Sequence, residues 1–395
     1  MSWEKVKLGD ICESISDGDH LPPPKSVNGI PFVTISNVNS SNQFDFKNTM
    51  FVPQEYYEKL DEKRKPRIND ILYSVVGSFG IPVFIKENRP FVFQRHIAIL
   101  RPNESRIHPR YLYYKMLSKD FYMKADAVAI GAAQRTISLT SLRNMEISIP
   151  CKDSQKRIAD ILSAYDDLIE NNQKQIKLLE EAAQRLYKQW FIDLRYPGHE
   201  TTKIIDGLPE GWSVKTVDDI AEYINGYAFK PSDWQTKGYP IIKIKEMNEG
   251  VTADTPRNSG ETIPPKYVIG SGDIVFSWSA TLAAIIWDGE TGLLNQHLFK
   301  VIPHKDFSRE FVLQTIKNTL EEFQNLTTGS TMKHIQRGKL KEVKVNTPTS
   351  NIMKEFEKIT EPIRNQILNK KKQILDLIQS RDRLLPKLMN GELEV

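Results

Sequence analysis

The sequence predicts an α+β protein made of two copies of one module, each followed by a long helix. The first observation is a run from Ser154 to Phe191 in which apolar residues recur at alternating steps of four and three. Such spacing places side chains on the narrow seam that a coiled coil buries. The same spacing returns near the end of the chain, so the chain carries its own partner helix. The seam residues are Ile158, Leu162, Tyr165, Ile169, Ile176, Leu179, Ala183, Leu186 and Trp190 in the first run and Phe356, Ile363, Ile367, Ile374, Leu377, Leu384 and Leu388 in the second.

The segments that precede the two helical runs also repeat one another. Five stretches of the first half recur in the second half in the same order, which indicates a tandem repeat. They are WEKVKLGDI at 3–11 and WSVKTVDDI at 212–220, GIPFV at 29–33 and GYPII at 238–242, DIL at 70–72 and DIV at 273–275, QRH at 94–96 and NQH at 295–297, and the runs at 131–150 and 329–348.

Each module is expected to be rich in short strands. In the first module, β-branched runs at 30–35, 71–76 and 97–100 are separated by residues typical of tight turns. The best helical stretch covers 109–124 and starts with a proline, whose missing N–H costs nothing at that position. Pro150 ends the last strand, and Asp153 or Ser154 is expected to cap the long helix.

A linker rich in Pro and Gly separates the two halves, at 195–212. We therefore predict four segments. They are a first module at 1–152, a central helix at 153–194, a linker with the second module at 195–348, and a C-terminal helix at 349–395.

Composition narrows the class of protein. The chain has 395 residues, of which 39% are hydrophobic and 26% charged, and a formal charge of +4. This charge permits an anionic partner without requiring one. Cys12 and Cys151 form no CxxC pair, so a disulfide framework and a thiolate zinc site are not expected. The N-terminal residues lack the apolar core of a signal peptide, and no apolar run approaches the length of a membrane helix, so we expect a cytoplasmic protein.

Motifs of common enzymes are missing from the sequence. There is no GxxxxGK[ST] loop, GxGxxG loop, GxSxG elbow or HExxH pair. A DNA-methylating enzyme would need a cofactor-binding glycine loop and an (N/D)PP(Y/F) loop, and neither occurs. Three classes remain open: a non-catalytic DNA-binding protein, a repeat scaffold that binds RNA or protein, and a nuclease with an unrecognised site.

Polar residues cluster at repeated positions between the predicted strands, and these are the candidate DNA contacts. Amide side chains of Gln and Asn can bind adenine with two hydrogen bonds, and Arg can do the same for guanine. Basic residues in a loop led by glycine suit phosphate or base contacts. An ordinary turn or solvated loop explains each cluster as well. The clusters are Gln94, Arg95 and His96 with Asn295, Gln296 and His297, and Gln134, Arg135 and Thr136 with Lys333 and His334.

Further candidates lie near the start of each module. Turns that contain glycine present His20 and Lys25 in the first module, and Tyr227 and Lys230 in the second. Lys243 and Lys245 alternate with isoleucines, so both are expected on one face of a strand. The equivalent residues of the first module are Thr34 and Ser36, which are neutral. Such a difference suits two modules that share a scaffold and read different targets, although a solvent-facing strand would look the same.

Together these features resemble the specificity subunit of type I restriction–modification systems. The resemblance covers nearly the whole chain, as module, helix, module and helix. It is carried by the two GIPFV/GYPII strands, the DIL and GSFG stretches at 70–72 and 77–80, the QRH and NQH motifs, the strand–Pro–Gln–helix junction ISIPCKDSQKRIADI at 147–161, and GLPEGW at 207–212. The second junction departs from this pattern, because residues 350–353 read SNIM.

The resemblance implies a function and a set of partners. Each module would be a target-recognition domain that reads one half of a split site in double-stranded DNA, and Ser78 of the GSFG stretch joins the candidate contacts. The two helices would pair antiparallel as a spacer and would dock the modification (methyltransferase) subunits, of which we expect two, and restriction/translocase subunits. S-adenosylmethionine, ATP and magnesium would belong to those partners. In an antiparallel pair the helix midpoints meet, so Asn172 and Lys370 are expected to fix the register as a polar pair.

Overall fold

The computed structural model describes residues 3–18, 20, 22–39, 42–131, 135–279, 281–325 and 337–395. The chain forms two compact units. Unit 1 comprises residues 1–169 and 376–395, and unit 2 comprises residues 170–375. Each unit therefore combines one β-rich module with one end of each long helix.

The module of unit 1 is built on two sheets. A four-stranded antiparallel sheet has the order Cys12–Asp17, Ile97–Pro102, Ile71–Ser74 and Pro82–Phe84, and a three-stranded mixed sheet has the order Met50–Val52, Ile30–Val33 and Val92–Phe93. Glu4–Lys7 pairs separately with Glu146–Ile149. The helices are Leu8–Ile11, Gln54–Glu58, Pro109–Leu117, Lys119–Val128 and Leu139–Asn144, with 3₁₀ turns at Ile35–Asn37 and Glu62–Arg64.

Unit 2 repeats this plan. Its antiparallel sheet has the order Ala221–Asn225, Leu298–Pro303, Ile274–Ser277 and Ala283–Ile286, and its mixed sheet has the order Arg257–Asn258, Tyr239–Ile242, Gly292–Leu294 and Val268–Ile269. Ser213–Thr216 pairs with Lys344–Thr347, and a small hairpin joins Ile204–Ile205 to Leu208–Pro209. The helices are Val217–Ile220, Ile244–Glu249, Arg309–Asn318 and Leu320–Asn325, with 3₁₀ turns at His199–Thr201, Pro231–Asp233, Pro265–Tyr267 and Arg337–Lys341.

The central strand of each module is buried on both faces, which explains its unbroken apolar sequence. In unit 1, Ile71 and Tyr73 pack with the helical side of the core, whereas Leu72 packs with the second sheet. In unit 2, Phe276 and Val275 divide in the same way. Because strand side chains alternate between faces, one short strand holds the helices and the second sheet together.

The two long helices, Lys152–Tyr187 and Ser350–Met389, pack against each other in both units. In unit 1, Asp166 in the first half of the first helix meets Arg381 near the end of the second. In unit 2, Trp190 and Phe191, in the π-helical turn Lys188–Ile192, pack on Phe356 at the start of the second helix. The pairing is therefore antiparallel, and the α+β fold class with two repeated modules and two long helices is confirmed.

The polar interruption of the first seam is buried in unit 2. Asn172 is 8% exposed, and its amide Nδ2 lies 3.4 Å from Gln373 Oε1 on the second helix. Asn172 therefore contacts Gln373. This residue lies nearly one helical turn beyond Lys370, the predicted partner. A role of Asn172 and Lys370 in register stays a prediction.

The predicted helix at 109–124 is two helices. The first ends at Leu117, and Ser118 begins the second by accepting the backbone N–H of Phe121 through its hydroxyl at 3.3 Å. Serine competes well for helix N-termini, and this local signal outweighed the periodicity. The prediction that Asp153 or Ser154 caps the first long helix is also wrong, because the helix already begins at Lys152.

The prediction that Lys243 and Lys245 lie on a strand is wrong, as is its counterpart for Thr34 and Ser36. Each strand ends one residue earlier, and a helical turn follows. The backbone N–H of Thr34 donates to Asn37 Oδ1 at 2.9 Å, and that of Lys243 donates to Glu246 at 3.1 Å. A polar side chain three residues ahead turns the chain into a helix start at both places.

Candidate nucleic-acid interface

In unit 1, the loop after Cys12–Asp17 lies against the turn Gln94–His96. The Gly18 N–H donates to Ile97 O at 3.2 Å, and a Cβ on Gly18 would come within 2.2 Å of Phe93 O. Only glycine permits this approach. The structure therefore brings the loop that contains His20 next to the predicted cluster at 94–96. His20 is exposed and its Nε2 lies 2.9 Å from Asp17.

The residues that follow the strand Ile30–Val33 adjoin the same turn. The Gln94 N–H donates to Val33 O at 3.1 Å, so the residue after Val33 is close to this predicted cluster. The hydroxyls of Thr34 and Ser36 lie 2.7 Å apart. Arg95 is exposed, whereas His96 is half-buried, and burial together with neighbouring Arg95 lowers the pKa of its imidazole. His96 is therefore a neutral hydrogen-bonding group at neutral pH.

Arg135 and Thr136 lie beside the GSFG loop at 77–80. The Gly77 N–H donates to Arg135 O at 3.0 Å, and the guanidinium lies 5.9 Å from the ring of Phe79. That ring stacks on Tyr122 at 5.5 Å with an interplanar angle of 2°. Arg135 also forms an ion pair of 3.2 Å with Asp126, so a nucleic acid would compete with this carboxylate. Exposed Ser78 completes this group.

Unit 2 repeats the backbone arrangement with different side chains. The Gly226 N–H donates to Leu298 O at 3.0 Å, and a Cβ on Gly226 would come within 2.1 Å of Asn295 O. The Gln296 N–H donates to Tyr227 O at 2.9 Å, and the Asn295 N–H donates to Ile242 O at 3.0 Å. These contacts bring Tyr227 and Lys243 next to the turn at 295–297. Unit 1 brings the counterparts of these residues together in the same way.

Aromatic rings surround this turn in unit 2, and three of them were not predicted. Trp278 lies 5.9 Å from the ring of His297, and Tyr267 lies 5.5 Å from Tyr227. Lys243 Nζ sits 4.4 Å from the ring of Trp234, a cation–π distance. The signal for Trp278 was its place just after the strand that repeats 71–74. Trp234 and Tyr267 lie outside the five repeated stretches, so the sequence offered no such signal for them.

The remaining candidates are more dispersed. Lys25, Lys230 and Lys245 are exposed, but no contact joins them to the two turns. Gln134, Lys333 and His334 lie outside the described residues. The assembled groups are amides, hydroxyls, imidazoles, one lysine, two arginines and aromatic faces, which suit base edges, phosphates and stacking.

Within the described ranges, no cluster of His, Cys, Asp and Glu is arranged to hold a metal ion. A search of the same residues for helices with the length and apolar character of a membrane span found none.

The fold defines a duplicated α+β protein with two β-rich modules and two long helices. Residues 1–181 and 209–379 match the family model described as type I restriction modification DNA specificity domain. The chain belongs to this family, and it is a DNA specificity subunit of the type I restriction–modification kind.

Relatives cover almost the whole chain. The type I restriction enzyme HindI specificity subunit of Haemophilus influenzae is 25% identical, with 99% of both chains covered. The putative MjaX specificity subunit of Methanocaldococcus jannaschii is 25% identical over 100% of this chain and 94% of its own. The crystal structure of the S subunit from M. genitalium superposes with a TM-score of 0.59 at 16% identity, covering 98% of this chain and 96% of that one, and so shows the same fold.

Proposed function

We propose that this chain binds a gapped site in duplex DNA, one half through each module, and is itself non-catalytic. The observation that carries the proposal is the repeated turn. The same backbone contacts, at Gly18 and Gly226, hold different side chains in the two units, namely Gln94–His96 and Asn295–His297. A shared scaffold with different polar groups suits two different half-sites.

The long helices would set the spacing between the half-sites. A helix of 36 residues such as Lys152–Tyr187 is about 54 Å long at about 1.5 Å per residue. Adjacent half-sites on one face of B-DNA lie about 34–36 Å apart, so a helix of this length is a suitable spacer.

The same helices would dock the partner subunits. Four large apolar side chains of these helices are exposed, and they are the candidate contacts for such partners. They are Leu168, Leu178, Ile359 and Leu375. Two methyltransferase subunits and the restriction/translocase subunits would bind here. S-adenosylmethionine, ATP and magnesium, and with them catalysis, would reside in those partners, as the family relationship suggests.

Selection from a random duplex library by the chain in complex with its methyltransferase subunits tests the proposal. The expected result is enrichment of one motif with two fixed blocks around a variable gap. Enrichment of a continuous motif, or of none, would refute it. Cleavage of DNA by the isolated chain with magnesium would contradict its non-catalytic role.

A further inference from the structure

A small cavity of unit 2, about 60 Å³ in volume, lies where both long helices meet the module. Its walls are partly apolar, with Ile285, Leu313 and Ile367 among the lining residues. They also contain two buried polar side chains of the helix Arg309–Asn318. Glu310 is 5% exposed and Gln314 is 3% exposed. The two are hydrogen-bonded to each other, since Gln314 Nε2 donates to Glu310 Oε1 at 2.7 Å, and the amide keeps a second N–H for a further acceptor.

Arg364, on the second long helix, also lines the cavity. Its side chain is only 11% exposed, and among the described residues its paired carboxylate is that of Glu361, 3.8 Å from Nη2. Its Nη1 is buried without a hydrogen-bond acceptor among the described residues. A buried guanidinium normally uses its donors in full, so this nitrogen marks a site for an acceptor.

Unit 1 contains a complete network at the corresponding place. The carboxylate of Asp166 accepts a hydrogen bond of 2.8 Å from Arg381 Nη1 and one of 2.6 Å from the Tyr114 hydroxyl. One helix thus supplies the anion, the other helix the cation, and the module the neutral donor.

The repeat identifies the counterparts of these three residues in unit 2. Positions along the helices are counted from Ile158 and Phe356, where the seams coincide. Positions in the module are counted from the residues before the helices Pro109–Leu117 and Arg309–Asn318. By this count Asp166 corresponds to Arg364, Arg381 to Ala183, and Tyr114 to Gln314.

In unit 2 the cation Arg364 therefore stands where unit 1 has the anion Asp166, and the methyl group of Ala183 stands where unit 1 has Arg381. We propose that the cavity of unit 2 binds a carboxylate group, which hydrogen-bonds Arg364 Nη1 and Gln314 in the space beside Ala183. The cavity is several times larger than the roughly 10–15 Å³ needed to hold one water molecule, which leaves room for a carboxylate on a short apolar stem. Arg364 and Gln314 supply donors of the kind that a carboxylate accepts.

The other charged groups around the cavity are compatible with an anion. Lys317 and Lys371 line it, and Lys371 is paired with Asp288 at 3.3 Å. Glu180 and Glu310 are the acidic groups. Burial raises the pKa of Glu310, against the smaller effects of Gln314 and the neighbouring cations. In its protonated form this residue does not repel a carboxylate and can donate a hydrogen bond to it.

Titration of the full chain with sodium acetate, against sodium chloride at equal pH and ionic strength, tests this site by calorimetry. Acetate is expected to bind saturably with one site per chain. Arg364→Met should weaken this binding by about tenfold or more, the effect of losing a hydrogen bond from a charged group. Ala183→Glu should abolish it, because the chain then supplies the carboxylate itself. Lys372→Met removes an exposed charge outside the cavity and should change nothing.

The ligand could be a free short carboxylic acid or the side chain of Asp or Glu from a partner subunit. Repeating the titration with the methyltransferase subunits bound separates these sources. Loss of acetate binding assigns the site to a partner carboxylate, and unchanged binding assigns it to a free acid. Absence of saturable acetate binding to the isolated chain, or equal binding to the wild type and Arg364→Met, would overturn the proposal.

Discussion

Asp166 of the first long helix and Arg381 of the second form an ion pair of 2.8 Å inside unit 1. The Tyr114 hydroxyl donates to the other carboxylate oxygen. Burial, and to a smaller extent the nearby charge of Asp166, raises the pKa of this tyrosine. The carboxylate thus connects both helices and the module. This one residue ties the spacer to the recognition module at that end of the helix pair.

Substitution of Asp166 is the first prediction. Asp166→Ala leaves Arg381 and Tyr114 without their acceptor, and the free energy of unfolding should fall by about 2–4 kcal/mol. Urea denaturation measures it. Asp160→Ala is the matched control, because its pair with Lys156 is exposed and should contribute under about 1 kcal/mol. Equal effects of the two substitutions would contradict the account.

The tight turn contacts give a second prediction. Gly226→Ala places a methyl group within 2.1 Å of Asn295 O and should cost about 1–3 kcal/mol through displaced backbone. DNA affinity should fall with it, since the turn at 295–297 moves. At Gly270 a Cβ would meet nothing within 4 Å, so Gly270→Ala should leave both quantities unchanged. Thermal unfolding and filter binding of the purified complexes measure the two effects.

Lys243 provides a third prediction. Its ammonium lies over the ring of Trp234 and close to the turn at 295–297. A DNA phosphate bound at this turn would attract the ammonium. Lys243→Ala should weaken binding to all duplexes by a similar factor and reduce the slope of log K against log salt by about 0.9. Exposed Lys372, on the second helix, should show no such effect when replaced by alanine. A substitution that changes sequence preference but not the salt slope would show base contact instead.

Glu310 gives a prediction about pH. Burial raises its pKa in the folded chain, whereas the unfolded chain titrates near the ordinary value. As pH rises past that ordinary value the unfolded state loses its proton first, so folding stability falls until the raised folded pKa has been passed. Glu310→Gln should remove this loss and increase stability at neutral pH. Urea unfolding between about pH 4 and 8 measures it, with exposed Glu321→Gln as the control. A wild-type stability that rises through this window relative to Glu310→Gln would contradict it.

Much of the fold could be predicted from the sequence, because two paired helices must each bury one narrow seam of apolar side chains. Every seam residue from Ile158 to Trp190 is buried or half-buried in the helix pair. The order of repeated motifs likewise predicted two modules of the same plan. Periodicity failed where one side chain decided the outcome, as at Ser118, which divides a helix, and at Glu246, which ends the strand before Lys243.

The candidate site was less predictable, because it depends on contacts between distant segments. The repeat located the turn at 94–96 and its counterpart, and the structure places the glycine loops next to them. Trp234 and Tyr267 lie outside the repeated stretches of sequence, so only the fold shows that they lie beside Lys243 and Tyr227.

The most direct test of the central claim is methylome sequencing of cells that carry the complete system, with either the wild-type chain or the double variant Asn295→Gln and Gln296→Arg, which gives residues 295–297 the sequence of residues 94–96. The account predicts a gapped motif for the wild type, of which only one half changes or is lost in the variant while the gap stays the same. A continuous motif, or a change in both halves, would contradict the assignment of one half-site to each unit.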